Sequence, residues 1–150
     1  MHVLVHTRSP NPQAFPEIDY VGLDQLLTAA DVISLSCPLT AETERMINAE
    51  RLARMKASAY LINTGRGLLV DEAELAEALR NGEIAGAGID CLVTEPPQAD
   101  DPMITTQLPQ LIITPHNAWG TLQARQRLLD GTVQNVQDFL AGHSPNRVNP

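Results

Sequence analysis

The sequence predicts an α/β protein in which a parallel β-sheet carries helices on both faces. Short apolar runs alternate along the chain with segments whose apolar residues recur at helical spacing, the order typical of strand–helix–strand units. The apolar runs are continuous, as expected of strands that are buried on both faces of a sheet. A length of 150 residues is typical of a single domain. Since only 3% of the residues are aromatic, we expect its core to be aliphatic.

Three strands and two helices are predicted in the first half of the chain. The strands are the apolar runs at 2–6, 31–37 and 59–63. A helix is predicted at 23–30, where four apolar residues lie at positions i, i+3, i+4 and i+7. A second helix is predicted at 48–55, where Asn48 can cap the first turn.

The clearest helix signal lies at residues 72–80. Asp71 can cap this helix, and Glu74 follows three residues later, as in a capping box. Gly82 comes directly after the last turn, where the left-handed conformation that suits glycine ends many helices. The sequence therefore defines both ends of this element.

The rest of the chain contains two further strands and a long helix. Strands are predicted at 84–90 and 111–114, and the helix is predicted at 121–141. The proline-rich segment 95–102 is predicted to be a loop, and the tail 142–150 is expected to be poorly ordered.

Charge and composition exclude several classes of protein. The formal net charge is −8 and the chain has a single lysine, which argues against binding to nucleic acid or to an anionic membrane surface. No apolar run approaches the roughly 20 residues that span a bilayer. The first residues lack the pattern of a signal peptide, and two cysteines are too few for a disulfide framework. We therefore expect a cytoplasmic protein.

Polar side chains follow the predicted strands, where ligands bind to open parallel sheets. Four of them are expected to converge at one sheet edge: Arg66, Asp90, Glu95 and His116. Arg66 stands between two glycines, so it could hold a carboxylate in a two-point contact or be a surface arginine in a tight turn. His116 could act as a general acid or base near neutral pH, and a nearby carboxylate would favour its protonated form.

Simpler interpretations stay open for the same residues. His116 could be a strand-end histidine that is satisfied by a backbone carbonyl, and position alone favours that interpretation. Glu95 could be an ordinary solvated acid in a loop. Asp90 could accept a hydrogen bond from a ligand amide or cap a turn.

The cysteines and the remaining histidines give no sign of further chemistry. Cys37 and Cys91 are interpreted as buried structural thiols because no histidine is placed to activate them. His2, His6 and His143 lack the spacing of metal ligands, so no metal site is predicted.

Four long motifs resemble one known family. They are VISLSCPLTAET (32–43), NTGRGLLVDEAELAEAL (63–79), GAGIDCLVTEPP (86–97) and LIITPHNAWGT (111–121). In this order they resemble the D-isomer-specific 2-hydroxyacid dehydrogenases, nearest to the hydroxypyruvate/glyoxylate reductase and glycerate dehydrogenase branch. The resemblance implies a Rossmann-like fold and an NAD(P)-dependent oxidoreductase that interconverts a small 2-keto acid and a 2-hydroxy acid.

The resemblance also implies roles for individual residues. Arg66 would bind the keto-acid substrate, His116 would donate the proton to its carbonyl oxygen, and Glu95 would pair with His116. Asp90 would contact the nicotinamide side of the cofactor. The full set of expected cofactor contacts is Thr7, Arg8, Cys37, Pro38, Thr43, Thr64, Gly65, Arg66, Asp90, His116 and Ala118.

The residues after the first predicted strand bear on the choice of cofactor. NAD sites usually place an acid at the end of the second strand of the fold, where it binds the ribose hydroxyls. Here the sequence reads His6-Thr7-Arg8-Ser9, with no acid, and Arg8 could pair with a 2′-phosphate. We therefore favour NADP over NAD.

The sequence departs from the family pattern at the glycine-rich turn. The motif G-x-G-x-x-G, which cradles the pyrophosphate, does not occur in it. We expect residues 1–150 to be a partial dinucleotide-binding domain that lacks the first strand, with a last helix (about 121–141) that packs toward an absent substrate domain. The strand at 2–6 would then pair with 32–36, pair with another chain or stay loose, and its open edge favours a homo-oligomer.

The expected catalytic set is Arg66, Glu95 and His116, yet the isolated chain is predicted to be inactive or nearly so. The motif that anchors the pyrophosphate, and so positions the nicotinamide for hydride transfer, does not occur in this sequence. A misplacement of the reacting groups by about 1 Å can lower the rate about a hundredfold. Two alternatives remain open: a non-catalytic, nucleotide-responsive interaction module, and a truncated fragment without an independent role.

Overall fold

A computed structural model describes residues 1–148; residues 149 and 150, the end of the tail expected to be poorly ordered, lie outside the described residues. The chain divides into two compact units, Met1–His116 and the segment from Asn117 onward. The strands are β1 Leu4–Val5, β2 Asp19–Tyr20, β3 Val32–Leu35, β4 Tyr60–Asn63, β5 Gly86–Ile89 and β6 Leu111–Ile113. The helices are α1 Leu23–Ala29, α2 Ala49–Leu52, α3 Glu72–Asn81, α4 Pro102–Thr105 and α5 Leu122–Leu140. Within residues 1–148, no helix is both long and apolar enough to cross a membrane.

The main sheet of the first unit contains four parallel strands in the order β3-β4-β5-β6. Its register aligns the carboxyl ends of the strands: Leu35 pairs with Asn63, Asn63 with Ile89, and Ile89 with Ile113. The segments that follow these strands therefore leave the sheet along one edge. This arrangement confirms the predicted parallel α/β, Rossmann-like fold.

Helix α3 supplies much of the apolar core against one face of the sheet. Its residues Leu75 and Leu79 are buried in one cluster with Leu61 of β4. The side chain of Asp71 caps the helix by accepting a hydrogen bond from the amide of Glu74 at 3.3 Å. Gly82 ends the helix with φ +70°, a left-handed conformation that costs glycine little. The predicted limits, 72–80, agree with the observed ones to within one residue.

The opposite face of the sheet is covered less completely than the continuous apolar runs indicated. Val32 of β3 and Ile112 of β6 are 60% and 66% exposed, and Tyr60 of β4 is 51% exposed. Strands β3 and β6 lie at the two edges of this sheet. Burial along these strands therefore alternates, with the apolar core on the helix-covered face.

Strand β1 forms a separate two-stranded parallel sheet with β2. The amide of Asp19 donates to the carbonyl of Val3, and that of Val21 donates to the carbonyl of Val5. Of the three alternatives stated for 2–6, pairing with 32–36 is wrong, because β1 and β3 belong to separate sheets; β1 pairs on one side with the segment at 19–21. No strand is predicted at 19–21 from the sequence, because β2 is only two residues long and contains an acid.

A short helix, α4, begins at the last residue of the segment predicted to be a loop. Asp101 caps it by accepting a hydrogen bond from the amide of Met103 at 2.8 Å, and Pro102 occupies its first turn. Met103 is only 2% exposed, so this helix contributes to the core.

Helix α5 belongs to the second unit and agrees with the helix predicted at 121–141. Thr121 caps it through a hydrogen bond from the amide of Ala124 at 3.2 Å. Large apolar side chains along it are exposed: Leu122, Leu128, Leu129, Val133, Val136, Phe139 and Leu140. The expectation that this helix packs toward another domain stays a prediction.

Candidate active site

The turn after β4 carries Arg66 at the carboxyl edge of the sheet. The side chain of Asn63 is fully buried and shapes this turn from below. Its Oδ1 accepts a hydrogen bond from the amide of Gly65 at 3.1 Å, and its Nδ2 donates to the carbonyl of Arg66 at 2.9 Å. Arg66 itself is exposed, and its Nη1 donates to the carbonyl of Gly65 at 2.8 Å. The guanidinium is thus presented to solvent by a well-fixed turn.

Glu95 and His116 form a hydrogen-bonded pair at the same edge. Nδ1 of His116 lies 2.8 Å from Oε2 of Glu95, and the side chains are 43% and 37% exposed, respectively. The other oxygen of Glu95, Oε1, accepts a hydrogen bond from the amide of Leu92 at 2.9 Å. The bond to His116 and then the bond from Leu92 lower the pKa of Glu95 from its ordinary value. An ionised carboxylate in this position stabilises positive charge on the ring of His116.

His116 adopts a left-handed backbone conformation, with φ +50°. Few residues other than glycine adopt this conformation, and it is concentrated at functional sites. The amide of His116 donates to the carbonyls of Asp90 and Thr114, each at 2.9 Å. These bonds hold the ring where it meets Glu95. No feature of the local sequence predicts this backbone conformation.

Asp90 lies between the ends of β5 and β6 and is only 4% exposed. Its carboxylate accepts a hydrogen bond from the hydroxyl of Thr114, and its amide donates to the carbonyl of Asn63 at 2.9 Å. Asp90 therefore links the strand ends that carry Arg66 and His116.

The loop at 91–95 lies directly against the turn that carries Arg66. A Cβ atom on Gly67 would come within 2.2 Å of the carbonyl carbon of Leu92, so only glycine permits this approach. The thiol of Cys91 donates to the carbonyl of Gly65 at 3.4 Å, and the amide of Val93 donates to Glu72 Oε1 at 2.8 Å. These contacts fix the segment that bears Glu95 against the start of α3.

Sequence reasoning missed Glu72 and Gly67, which shape this loop. From the sequence, Glu72 is an ordinary acidic residue in the first turn of a helix. Gly67 is one glycine of a turn that looks flexible. Their signal lies in contacts with residues more than twenty positions away, which local patterns do not encode.

The other expected cofactor contacts lie in four places. In the loop after β3, the hydroxyl of Thr43 donates to the carbonyl of Pro38 at 2.7 Å and so closes the loop. Thr7 and Arg8 follow β1 and are exposed. Ala118 belongs to the second unit. The remaining expected contacts, Thr64 and Gly65, lie in the turn before Arg66, and Cys37 directly precedes Pro38.

The two thiols differ in burial. Cys91 is buried, as expected, whereas Cys37 is only partly buried and packs against the core. The Sγ of Cys91, a carboxylate oxygen of Glu95 and a ring nitrogen of His116 lie within 4.8 Å of one another. This group is the one set of potential metal ligands found among residues 1–148.

A comparison with known protein families identifies the family to which this NAD-binding fold belongs. The family model described as D-isomer specific 2-hydroxyacid dehydrogenase, NAD binding domain, matches residues 1–118. The chain belongs to this family. The resemblance that the four sequence motifs indicated is therefore confirmed, and Asn63 to His116 lie within the matched NAD-binding domain.

Relatives in this family are similar over most of the chain. A glycerate dehydrogenase of Methylorubrum extorquens is 50% identical over 134 residues, which are 89% of this chain and 43% of that protein. A hydroxypyruvate reductase of Blautia hydrogenotrophica is 42% identical over 150 residues, covering 99% of this chain and 46% of that protein. The chain thus spans less than half the length of these dehydrogenases.

Solved structures of the family superpose closely on the chain. The NAD complexed form of a D-isomer specific 2-hydroxyacid dehydrogenase from Lactobacillus delbrueckii ssp. bulgaricus is 35% identical with a TM-score of 0.84, covering 99% of this chain and 49% of that one. An acyclic imino acid reductase in complex with NADPH and D-Arg is 33% identical with a TM-score of 0.87, covering 99% and 46%. This NAD-binding domain therefore has neighbours that were solved with either cofactor.

Proposed function

We propose that this chain is the cofactor-binding and catalytic part of an oxidoreductase that interconverts a small 2-keto acid and the corresponding 2-hydroxy acid with NAD(P). The main support for this proposal is the Glu95–His116 pair, in which Nδ1 of His116 lies 2.8 Å from Oε2 of Glu95. The pair lies on the sheet edge that also carries Arg66. Relatives named glyoxylate reductase and hydroxypyruvate reductase support this class of substrate.

Each residue of the expected catalytic set has a role that its chemistry supports. Arg66 binds the substrate carboxylate, because a planar guanidinium matches a carboxylate in a two-point contact. His116 donates a proton to the carbonyl oxygen during reduction and takes it back during oxidation. Glu95 stabilises the charged ring and fixes its orientation through Nδ1.

The residues present fit the nicotinamide end of an NAD(P) molecule. Three aligned strand ends carry Thr64, Asp90 and His116 at one edge, where dinucleotides bind to this class of sheet. When bound, the nicotinamide supplies or accepts the hydride. The exposed Arg8 after β1, with no acid beside it, supports NADP over NAD.

The domain assignment and the assembly belong to the same proposal. Residues 1–150 are a partial dinucleotide-binding domain, and α5 packs toward a substrate domain outside this sequence. The exposed apolar side chains of α5 support the existence of a partner surface that covers them. We also expect the protein to form a homo-oligomer. Two free cysteines support a cytoplasmic location, where thiols stay reduced.

Cofactor titration combined with a turnover assay tests the proposed function. The purified chain should bind NADPH more tightly than NADH, measured by cofactor fluorescence, and should show little or no reduction of glyoxylate or hydroxypyruvate. Binding of neither cofactor would overturn the assignment of the site to this chain. Keto-acid-dependent oxidation of NADPH that disappears in Arg66→Ala would contradict the expected inactivity of the isolated chain.

One observation favours the non-catalytic interaction module as a second candidate. The seven large apolar side chains exposed on α5 form a surface that a protein partner would cover. In that case NADPH should change the sedimentation of the chain without any turnover of a keto acid.

A further inference from the structure

Cys91 adds a third potential metal ligand to the Glu95–His116 pair. Its Sγ, a carboxylate oxygen of Glu95 and a ring nitrogen of His116 all lie within 4.8 Å of one another. Ligands held about 2.0–2.3 Å from one tetrahedral zinc ion are themselves roughly 3.3–3.8 Å apart. A contraction of about 1 Å therefore converts this group into a three-ligand chelate.

Hydrogen bonds to and from the backbone keep the three residues near one another. The Cys91 thiol is held against the carbonyl of Gly65 at 3.4 Å, and Glu95 is held by the amide of Leu92 at 2.9 Å. His116 is held by hydrogen bonds from its own amide. The side chains of Glu95 and His116 are 37% and 43% exposed, so they can receive an ion from solvent and turn toward the buried thiol.

The donor set selects the class of ion. A thiolate with an imidazole suits zinc and neighbouring transition metals, whereas Mg²⁺ and Ca²⁺ prefer sites made of oxygen atoms. Three protein ligands leave one position for water, as in open zinc sites.

We propose that Cys91, Glu95 and His116 form a binding site for Zn²⁺ or a similar thiophilic divalent cation. The ion takes the place of the hydrogen bond between Glu95 and His116, and the protons of that bond and of the Cys91 thiol pass to solvent. With the ion on Nδ1, the ring keeps only the proton on Nε2, and the N–H of a neutral imidazole is a far weaker acid than that of an imidazolium, so the cation inhibits. This inhibition rests on the proposed function, whereas the binding itself does not.

Titration of the untagged chain with Co²⁺ tests the proposal. Co²⁺ reports on its own ligands through visible absorption and through a thiolate-to-cobalt charge-transfer band. We expect one ion per chain, displacement by Zn²⁺ and no competition from Mg²⁺. Cys91→Ser should abolish the charge-transfer band, and His116→Gln should weaken Co²⁺ binding by at least about tenfold, since loss of an outer-sphere contact alone costs that much.

Two matched controls make the result decisive. Cys37→Ser removes the other thiol, and His2→Gln removes a histidine that pairs with Asp19; both should leave the titration unchanged. Circular dichroism checks that Cys91→Ser is folded. His116→Gln changes an exposed side chain, so it tests the site even if Cys91→Ser does not fold. A folded parent chain that shows no charge-transfer band with Co²⁺, or a band that disappears in Cys37→Ser, would overturn the proposal. Fluorescence titration with NADPH in the presence of a chelator tests the cofactor site of the proposed function separately.

Discussion

Glu72 accepts a hydrogen bond from the backbone amide of Val93, with 2.8 Å between Oε1 and the nitrogen. This bond joins the first turn of α3 to the loop that carries Glu95. Glu95 in turn binds the amide of Leu92 and the ring of His116. Glu72 therefore supports the proposed catalytic pair without touching it.

Removal of this acceptor should loosen the loop and lower stability. Glu72→Ala is expected to reduce the free energy of unfolding by about 1 kcal/mol, the typical net value of one hydrogen bond. Glu72→Gln keeps an acceptor oxygen and should be more stable than Glu72→Ala. Urea denaturation of the three proteins measures the difference, and an alanine variant as stable as the parent would contradict the role assigned to Glu72.

The charge of Glu72 should also make stability depend on pH. Burial raises the pKa of Glu72 above its ordinary value of 4.5, against the opposing effect of the Val93 hydrogen bond. The folded state therefore binds the proton more tightly than the unfolded state, so stability falls as pH rises through the raised pKa. Relative to Glu72→Gln, the parent protein should lose stability in the window that opens at pH 4.5 and extends upward through the raised pKa. A difference that stays constant across this window would show that Glu72 does not titrate as expected.

Glu95 should titrate in the opposite sense. Its pKa is lowered from the ordinary value of 4.5, first by the hydrogen bond to His116 and then by that from Leu92. The stability it contributes is present above pH 4.5 and is lost as the pH falls through the lowered pKa. His116→Gln should move the pKa of Glu95 back toward 4.5, as measured by carbon NMR of the carboxyl group.

A second histidine provides the control for that measurement. His2 pairs with Asp19 at 2.6 Å, so His2→Gln also removes a histidine–carboxylate contact. It should leave the titration of Glu95 unchanged. An equal effect of the two variants would mean that His116 does not hold the pKa of Glu95 down.

The sequence could predict elements and strand-end residues but not the contacts that join distant loops. Helix α3 was predicted to within one residue because Asp71 and Gly82 mark its ends through local chemistry. Glu95 and His116 were expected at one edge because parallel strands end together. The Glu72–Val93 bond and the left-handed backbone of His116 depend on tertiary packing, so no periodicity reveals them. Strand β2 was missed for the same reason: its pairing with β1, not its composition, makes it a strand.

The close approach of two loops at Gly67 should make that position intolerant of any side chain. A Cβ atom there would lie 2.2 Å from the carbonyl carbon of Leu92 and 2.4 Å from the nitrogen of Val93. Gly67→Ala must therefore displace the loop, at an expected cost of about 1–3 kcal/mol in the free energy of unfolding. Displacement of the loop should also change the NMR resonances of the His116 ring.

Gly131 offers the matched control for that substitution. It lies within α5, and a Cβ atom added there meets nothing within 4 Å. Gly131→Ala should raise helix content and stabilise the helix by about 0.5–1 kcal/mol, because alanine loses less backbone freedom than glycine. Circular dichroism and thermal denaturation distinguish the two variants. If Gly67→Ala were as well tolerated as Gly131→Ala, the packing of Leu92 on Gly67 would be incorrect.

Arg8 should decide the preference between the two nicotinamide cofactors. It is exposed directly after β1, and no acid is present in the segment from His6 to Ser9 to bind ribose hydroxyls. A charge-assisted hydrogen bond to a 2′-phosphate contributes about 1.5–3 kcal/mol, so Arg8→Ala should weaken NADPH binding by about tenfold or more and leave NADH binding unchanged. Arg127→Ala, a change of the same type on α5, should affect neither cofactor. Fluorescence titration of each variant measures these affinities. An equal loss for NADPH and NADH would mean that Arg8 contacts a part shared by both cofactors, and the preference for NADP would then lose its physical basis.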